Sequence, residues 1–314
     1  GHTVTIAGPL GGVTHRAYNG RNKVVRSVDT LGRVTEGGYD GAGRPTWQLE
    51  PSGDRLEWGY DADGVLASQG VDGRVLASFE HDRATRTLTV EDHTDPDRTV
   101  RHTVVRDAAG RIVERTRDGR STRWSYDAGG RCTEITTPNG GRTRYARDLL
   151  GRVAQVSVDG VGTVSLARDE AGRVIGATTG GQAQTWTWAD GRVVAHTLTA
   201  DGVTSHTRID RDADGRVAAI TRDGASTVYA YDAAGQLVAA TGPDGAHTWT
   251  WDDAGRLVAE SDGGATTTYS YDAAGQLLAR RDEAGETRYT YDANGRRSSA
   301  DGPEGRMEFN WGPF

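Results

Sequence analysis

The stretch "YSYDAAGQLLARRDEAGETRYTYDANGR", residues 269–296, contains the same phrase twice. In each copy an aromatic residue precedes an Asp-x-x-Gly motif, at Asp272 to Gly275 and again at Asp292 to Gly295. An aspartate at the head of a turn accepts backbone N–H groups, and the glycine supplies the left-handed conformation that returns the chain to a strand. The stretch therefore predicts a tight turn that recurs along the chain.

The phrase recurs over nearly the whole chain, in most cases after 20 or 21 residues. Self-similarity at a short fixed period is the signature of a repeat protein. We expect a single continuous array of about fourteen repeats over residues 3–314, with loop insertions at 91–98 and 199–205, where the step is longer. Residues 1–2 are interpreted as a possible cloning remnant. The aspartate position falls at Asn19, Asp40, Asp61, Asp82, Asp107, Asp127, Asp148, Asp169, Ala189, Asp212, Asp232, Asp252, Asp272 and Asp292.

The residues that define the repeat are expected to be structural, and no cofactor or metal is expected to bind to them. Each set consists of a turn aspartate, a turn glycine and, in many repeats, an aromatic residue before the aspartate. They are Tyr39, Asp40, Gly43, Tyr60, Asp61, Gly64, Asp107, Gly110, Tyr126, Asp127, Gly130, Asp148, Gly151, Asp169, Gly172, Asp212, Gly215, Tyr231, Asp232, Gly235, Trp251, Asp252, Gly255, Tyr271, Asp272, Gly275, Tyr291, Asp292 and Gly295.

The segments between the turns alternate as β-strands do. In "HTWTWD" (247–252) and "TTTYSYD" (266–272) every second residue shares a face, and a second glycine-rich turn such as "PDG" (243–245) separates the strands. The sequence thus predicts an all-β fold of tandem β-hairpins of about 20 residues in one antiparallel sheet. An open sheet rarely exceeds about ten strands without curling. We therefore expect a curved, spiralling wall that encloses space.

Composition supports order without a thick aliphatic core. Eight Trp and eleven Tyr recur at fixed places, while Leu, Ile, Val and Phe are scarce. A net charge of −7 argues against nucleic acid as the partner. No apolar run reaches the roughly 18 residues of a membrane span, and no signal peptide opens the chain.

The segment "YDAAGQLVAATGPDGAHTWTWDDAGRLVAE" (231–260) resembles the YD repeat of the Rhs family, which also occurs in the C component of Tc toxins and in teneurins. This resemblance implies a strip of β-hairpins that spirals into a hollow β-shell. In bacterial members such a shell encloses a C-terminal toxic domain that is released after self-cleavage. In teneurins it is part of an adhesion ectodomain.

The chain departs from that family pattern in two respects, since it lacks the family's cleavage signature and no cargo domain follows its repeats. The family's cleavage signature, Asp-Pro-x-Gly, is absent, because Asp95-Pro96 is followed by Asp97-Arg98 and the chain ends in "FNWGPF" (309–314). We interpret the chain as an internal segment of the wall with two exposed strand edges.

Motifs for chemistry are better explained by the repeat. "DRDADG" (210–215) matches the first half of a calcium loop, but Thr221 stands where the bidentate glutamate belongs, so the stretch is interpreted as a repeat turn. "GAGR" (41–44) has no helix after it to bind phosphate. The eight histidines lack metal-ligand spacing, no nucleophile elbow occurs, and the lone Cys132 is interpreted as a structural thiol. We expect no enzyme activity.

Two surface features have alternative interpretations. Aromatic pairs such as Trp249 and Trp251 could bind sugars, but cross-strand packing is the favoured interpretation. The arginines that follow most turn glycines could form a ladder with the turn carboxylates, but ordinary surface pairs of about 0.5 kcal/mol each are the favoured interpretation.

The leading functional prediction is a shell segment of a large, secreted bacterial Rhs-type toxin, which protects a C-terminal cargo before delivery. Its partners would be the rest of the shell and that cargo. The alternative is a cell-surface adhesion or carbohydrate-binding module with glycans as partners. A monomer or an edge-paired dimer is expected.

Overall fold

The computed structural model describes residues 1–8 and 11–312, and within them every regular element is a β-strand. These residues form thirty strands, and the all-β prediction is confirmed. The strands are β1 (His2–Ala7), β2 (Val13–Tyr18), β3 (Val24–Val28), β4 (Val34–Tyr39), β5 (Pro45–Leu49), β6 (Arg55–Tyr60), β7 (Leu66–Val71), β8 (Arg74–Asp82), β9 (Thr87–Asp95), β10 (Arg98–Arg106), β11 (Ile112–Arg117), β12 (Arg120–Tyr126), β13 (Cys132–Thr136), β14 (Arg142–Arg147), β15 (Val153–Val158), β16 (Gly162–Arg168), β17 (Val174–Thr179), β18 (Gln182–Ala189), β19 (Arg192–Ala200), β20 (Val203–Arg211), β21 (Val217–Arg222), β22 (Ala225–Tyr231), β23 (Leu237–Gly242), β24 (Gly245–Trp251), β25 (Leu257–Ser261), β26 (Thr266–Tyr271), β27 (Leu277–Asp282), β28 (Gly285–Tyr291), β29 (Arg297–Gly302) and β30 (Gly305–Glu308).

Strands that follow one another pair as antiparallel hairpins. Over residues 266–302, β26 pairs with β27, β27 with β28 and β28 with β29. Each strand pairs with the strand that precedes it in the chain, so the order of strands in the sheet follows the order of strands in the sequence.

The turn that carries the signature has one geometry, seen at Asp252. The Gly255 N–H donates to the Asp252 carbonyl at 2.8 Å, and the Asp252 N–H donates to the Arg256 carbonyl at 3.0 Å. Gly255 has a φ of 75°, a conformation that side chains disfavour, which explains why glycine recurs there. A three-residue loop of this kind fixes the register of the hairpin.

The second turn of many repeats is shorter. At Asp118-Gly119 and at Asp223-Gly224 both residues have positive φ, between 47° and 88°. Two successive left-handed residues define the tight hairpin turn whose twist matches that of the flanking strands.

Each signature turn is followed by a β-bulge. In β26 and β27, Tyr271 lies opposite Leu277 and Ser270 lies opposite Ala279, so that Leu278 is an extra residue. The same shift follows the turns between β4 and β5, β12 and β13, β14 and β15, β16 and β17, β24 and β25, and β28 and β29. A bulge bends its strand and increases the local twist, so the bend recurs with the repeat.

The sheet has two unlike faces and a thin core. In β26 the residues Thr266, Thr268 and Ser270 are exposed, while Tyr269 and Tyr271 on the other face are half-buried. The only buried apolar residues in the described part of the chain are Leu56, Leu76 and Ala240. Stability therefore depends on hydrogen-bonded ladders and aromatic packing between neighbouring strands, as the composition predicts.

The expected loop insertions at 91–98 and 199–205 are not loops. Residues 91–95 continue β9 and residue 98 begins β10, while 199–200 end β19 and 203–205 begin β20; these four strands have nine residues each. The extra residues lengthen two hairpins, which turn at Pro96-Asp97 and at Asp201-Gly202, because a tight turn allows the ladder to continue.

The chain divides into two compact units. Unit 1 consists of Gly1–Ser78 and Ala230–Phe314, and unit 2 of Phe79–Tyr229. Within unit 1, turns distant in sequence contact one another: Arg33 Nη1 donates to Gln276 Oε1 at 3.1 Å, and Ser52 exchanges hydrogen bonds with the Asn294 side chain at 3.0 Å. The two segments of unit 1 are thus joined through their turns.

Candidate functional site: a turn ladder that joins the repeats

The turn aspartate has a structural role in each hairpin. Asp252 Oδ1 accepts the N–H groups of Ala254 and Arg256 at 2.9 and 3.0 Å, and its Oδ2 accepts Arg256 Nε at 2.7 Å. The charged side chains of this pair are only 20% and 23% exposed, so the pair is more shielded than an ordinary surface salt bridge. The same Asp–Arg pair, four residues apart, occurs at Asp29, Asp40, Asp107, Asp127, Asp148, Asp169, Asp212 and Asp292.

These bonds stabilise the ionised carboxylate. The guanidinium of Arg111 holds the pKa of Asp107 below its ordinary value against the opposing effect of burial, and the backbone N–H of Arg111 adds to it. At Asp148 the Arg152 side chain and then its backbone N–H lower the pKa in the same way. A carboxyl group whose pKa is lower in the folded state stabilises that state above its unfolded pKa, and this contribution disappears as pH falls through the folded pKa.

We expect the thermal midpoint to be nearly constant from pH 8 to about pH 5 and to fall below about pH 4, where the turn carboxylates take up protons. Differential scanning calorimetry at graded pH measures this. Asp148→Asn, which retains the amide-accepting oxygen without the charge, should show a shallower fall. The chain already has asparagine at this turn position at Asn19. Its Oδ1 accepts the N–H groups of Arg21 and Lys23, as the aspartate oxygen does in the other turns. An unaltered midpoint at pH 2.5 would contradict the expectation.

The turn arginine links its own repeat to the next. Arg256 is held by Asp252, its guanidinium lies 4.7 Å from the centre of the Tyr271 ring, and its Nη1 donates to the Asp272 carbonyl at 3.1 Å. The same stacking joins Arg44 to Tyr60, Arg111 to Tyr126 and Arg173 to Trp188. A cation over an aromatic face is favourable, and more so when shielded from water. These arginines therefore pair with the carboxylate of their own turn and also stack on the aromatic ring of the next repeat, a contact that an ordinary surface pair lacks.

The aromatic residue of the signature makes a third link, through its polar tip. The Tyr291 hydroxyl donates to the Leu277 carbonyl at 2.8 Å, fourteen residues earlier. Towards the start of β27, the last backbone pair between β27 and β28 is Ala279 with Arg288. Leu277 therefore lies beyond the paired residues. The hydroxyl thus satisfies a carbonyl that the ladder does not reach. Tyr39, Tyr60, Tyr126 and Tyr271 make the same bond to Val24, Pro45, Ile112 and Leu257.

Where another residue replaces the tyrosine, the donor is retained. The indole N–H of Trp251 donates to the Leu237 carbonyl at 2.8 Å. Arg147 Nη2 donates to the Cys132 carbonyl at 2.9 Å, although no ring is present. Trp188 and Arg168 do the same to Val174 and Val153. In these repeats the residue before the turn position is a hydrogen-bond donor to the preceding repeat, a feature that the sequence analysis did not recognise.

The signature glycines share one backbone conformation. Their φ angles are positive and lie between 75° and 85°. These glycines are Gly43, Gly64, Gly110, Gly130, Gly151, Gly172, Gly215, Gly235, Gly255, Gly275 and Gly295. The signature therefore repeats the same turn geometry along the chain.

The calcium-like stretch is one more copy of the turn. Asp212 Oδ1 accepts the N–H groups of Asp214 and Arg216, and its Oδ2 accepts Arg216 Nε at 2.8 Å. Within residues 1–8 and 11–312, no three or more His, Cys, Asp or Glu side chains are grouped as metal ligands. Cys132 is half-buried and its Sγ lies 3.6 Å from the Glu134 carbonyl oxygen.

The strand aromatics have partners within the protein. The Trp186 ring stacks on His196, directly opposite in β19, with ring centres 5.4 Å apart. Trp249 stacks against His247 of its own strand at 6.2 Å. These contacts agree with packing rather than with a free sugar platform. The described residues contain no helix of the length and apolarity needed to cross a membrane.

The geometry thus defines a class of protein, a tandem array of β-hairpins in which each turn is bonded to the next. A family model described as RHS Repeat matches residues 106–142, 130–164, 211–247, 251–287 and 271–307. The chain belongs to the RHS-repeat family. No curated protein sequence matches it significantly.

Solved structures of Tc toxins share the fold. The crystal structure of TcdB2-TccC3 without the hypervariable C-terminal region superposes with a TM-score of 0.60 at 15% identity, over 96% of this chain and 19% of that one. The Tc holotoxin pore of Photorhabdus luminescens gives 0.56 at 16% identity, over 91% and 18%. This chain therefore spans about a fifth of the length of the chains that it matches.

Proposed function

We propose that this chain is a structural, non-enzymatic segment of the shell of an RHS-type bacterial toxin, and that the shell encloses a protein cargo until delivery. The observation that carries the proposal is the succession of linked turns. Neighbouring hairpins are bonded by a backbone ladder and, as at Arg256 and Tyr271, also by an arginine and an aromatic donor. Such a sheet suits a wall, because it leaves no gap between neighbouring repeats.

A continuous hydrogen-bonded wall would keep proteases and cellular targets away from an enclosed polypeptide. The partners in this proposal are the remainder of the shell and a C-terminal cargo domain. The setting is outside the producing cell, in the competition between bacteria or in attack on a host. The matched structures are toxin components, so they lend no support to the adhesion or carbohydrate-binding alternative.

The two terminal strands bear on the oligomeric state. In the described residues β1 pairs with β2 and β30 with β29, and each has one edge without a partner strand. Unpaired edges are templates for association, and charged residues along them oppose it. We propose that the chain by itself is a monomer or a weak edge-paired dimer, which sedimentation at graded concentrations distinguishes.

The test of the shell proposal uses the complete natural open reading frame that encodes this chain. Its product is purified and compared by denaturing and native mass spectrometry, before and after limited proteolysis. Two polypeptides that separate only under denaturing conditions, the smaller resistant to protease, are the expected result. A single intact polypeptide that ends in an anchor or an adhesion module would overturn the proposal.

A further inference from the structure

The turn between β18 and β19 departs from the signature. Ala189 stands where the other turns have aspartate, and Asp190 and Gly191 form a two-residue turn with φ values of 49° and 73°. Ala189 then lies directly opposite Arg192 in the ladder. The turn is one residue shorter than its neighbours, and its arginine has lost the carboxylate that Asp169 gives to Arg173 at 2.7 Å.

The guanidinium of Arg192 instead reaches the next repeat. Arg192 Nη1 donates to the Gly215 carbonyl at 3.1 Å, and Arg211 Nη1 donates to the same oxygen at 3.2 Å. Both side chains belong to exposed residues. In the described part of the chain neither makes an ion pair, so two positive charges converge on one neutral oxygen.

These arginines line a surface cavity of about 740 Å³, the 189–215 notch. Three acidic residues of its lining have an arginine partner: Asp210 pairs with Arg208 at 2.7 Å, and Asp212 and Asp214 share Arg216 at 2.8 Å. Asp190 is the one remaining lining carboxylate without an ion pair among the described residues. The four aspartates are balanced by Arg192, Arg208, Arg211 and Arg216, so the notch has no net charge, but the two arginines without an ion pair lie together where the turn carboxylate is missing.

We propose that the 189–215 notch binds a carboxylate from an acidic polypeptide segment, which takes the place of the missing turn aspartate. A guanidinium binds a carboxylate through two parallel N–H bonds, and a pair of arginines gains more from one shared anion than either gains from a backbone carbonyl. A singly charged carboxylate suits the notch better than a phosphate, because repulsion from Asp190 grows with the charge of the ligand. The proposal does not depend on the enclosure of a cargo.

The test is a titration of the whole chain with a capped peptide, Gly-Ser-Glu-Ser-Gly, followed by the arginine Nε–Hε NMR signals. The peptide should shift the signals of Arg192 and Arg211 saturably, and the same peptide with Gln in place of Glu should not. Arg192→Gln should weaken binding by about tenfold. Glutamine stands naturally at this turn position at Gln236 and Gln276, so the fold tolerates it.

Two further variants separate the notch from general charge. Arg123→Gln removes an equal charge from an exposed pair with Glu114 in the same unit, and should change the affinity by less than about twofold. Ala189→Asp places a carboxylate opposite Arg192 and should weaken peptide binding while raising the thermal midpoint. Full affinity in Ala189→Asp, equal binding of the Gln peptide, or tighter binding of inorganic phosphate than of the Glu peptide would each overturn the proposal.

Discussion

Phenylalanine in place of Tyr291 is expected to lower the free energy of unfolding by about 1–3 kcal/mol. The substitution removes only the hydroxyl that donates to the Leu277 carbonyl at 2.8 Å. Because that carbonyl lies past the end of the ladder between β27 and β28, no backbone N–H replaces the lost donor. Urea denaturation followed by tryptophan fluorescence measures the loss.

Tyr289→Phe is the matched control for this substitution. Tyr289 lies on the same strand and face, with Arg297 over its ring at 4.4 Å, but its hydroxyl makes no hydrogen bond within the described residues. Its replacement should change the free energy by less than about 0.5 kcal/mol. Equal losses in the two variants would show that the hydroxyl of Tyr291 is not the link between its repeat and the preceding one.

Alanine in place of Gly151 is expected to lower the free energy of unfolding by about 2–3 kcal/mol. Gly151 has a φ of 79°, so a side chain strains the backbone. The added Cβ would also overlap the guanidinium of Arg131, which is fixed by Asp127 with an Nε to Oδ2 distance of 2.9 Å. The substitution therefore disturbs the contact between two repeats as well as the turn itself.

Gly110→Ala isolates the strain of the turn. Gly110 has a φ of 80°, and a Cβ built there meets nothing within 4 Å. Its replacement should cost about 1–2 kcal/mol. A double-mutant cycle with Arg131→Ala then tests the excess at Gly151, which should vanish once the guanidinium is gone. A persistent excess would mean that the overlap is not its cause.

The hairpin fold was predictable because its signals are local. Asp272 and Gly275 specify a turn within four residues, and the alternation of Thr and Tyr specifies the strand that enters it. The donor pattern was also present in the sequence but was not recognised. At the fourteen repeat positions named above, the preceding residue is Tyr, Trp, Arg or His and never Phe, although Phe would supply the same apolar ring.

Other features depended on information that spacing alone does not carry. The longer interval between Asp82 and Asp107 is compatible with a loop or with longer strands. In the structure the extra residues belong to β9 and β10. The contact of Arg33 with Gln276 joins residues that no local pattern relates. The 189–215 notch arises because a one-residue deletion in a turn leaves its arginine beside the next repeat, and only the three-dimensional structure shows where that arginine goes.

The division of unit 1 into two chain segments has a consequence for how the protein forms during synthesis. Residues 79–229 are continuous and consist of hairpins between neighbours, so they can fold as they leave the ribosome. Residues 1–78 must wait for the arrival of residues 230–314 before Ser52 meets Asn294. At a synthesis rate of about 5–20 residues per second, the 242 residues that separate this pair correspond to a wait of about 12–48 s. Binding of a chaperone in this interval would fall on the N-terminal turns.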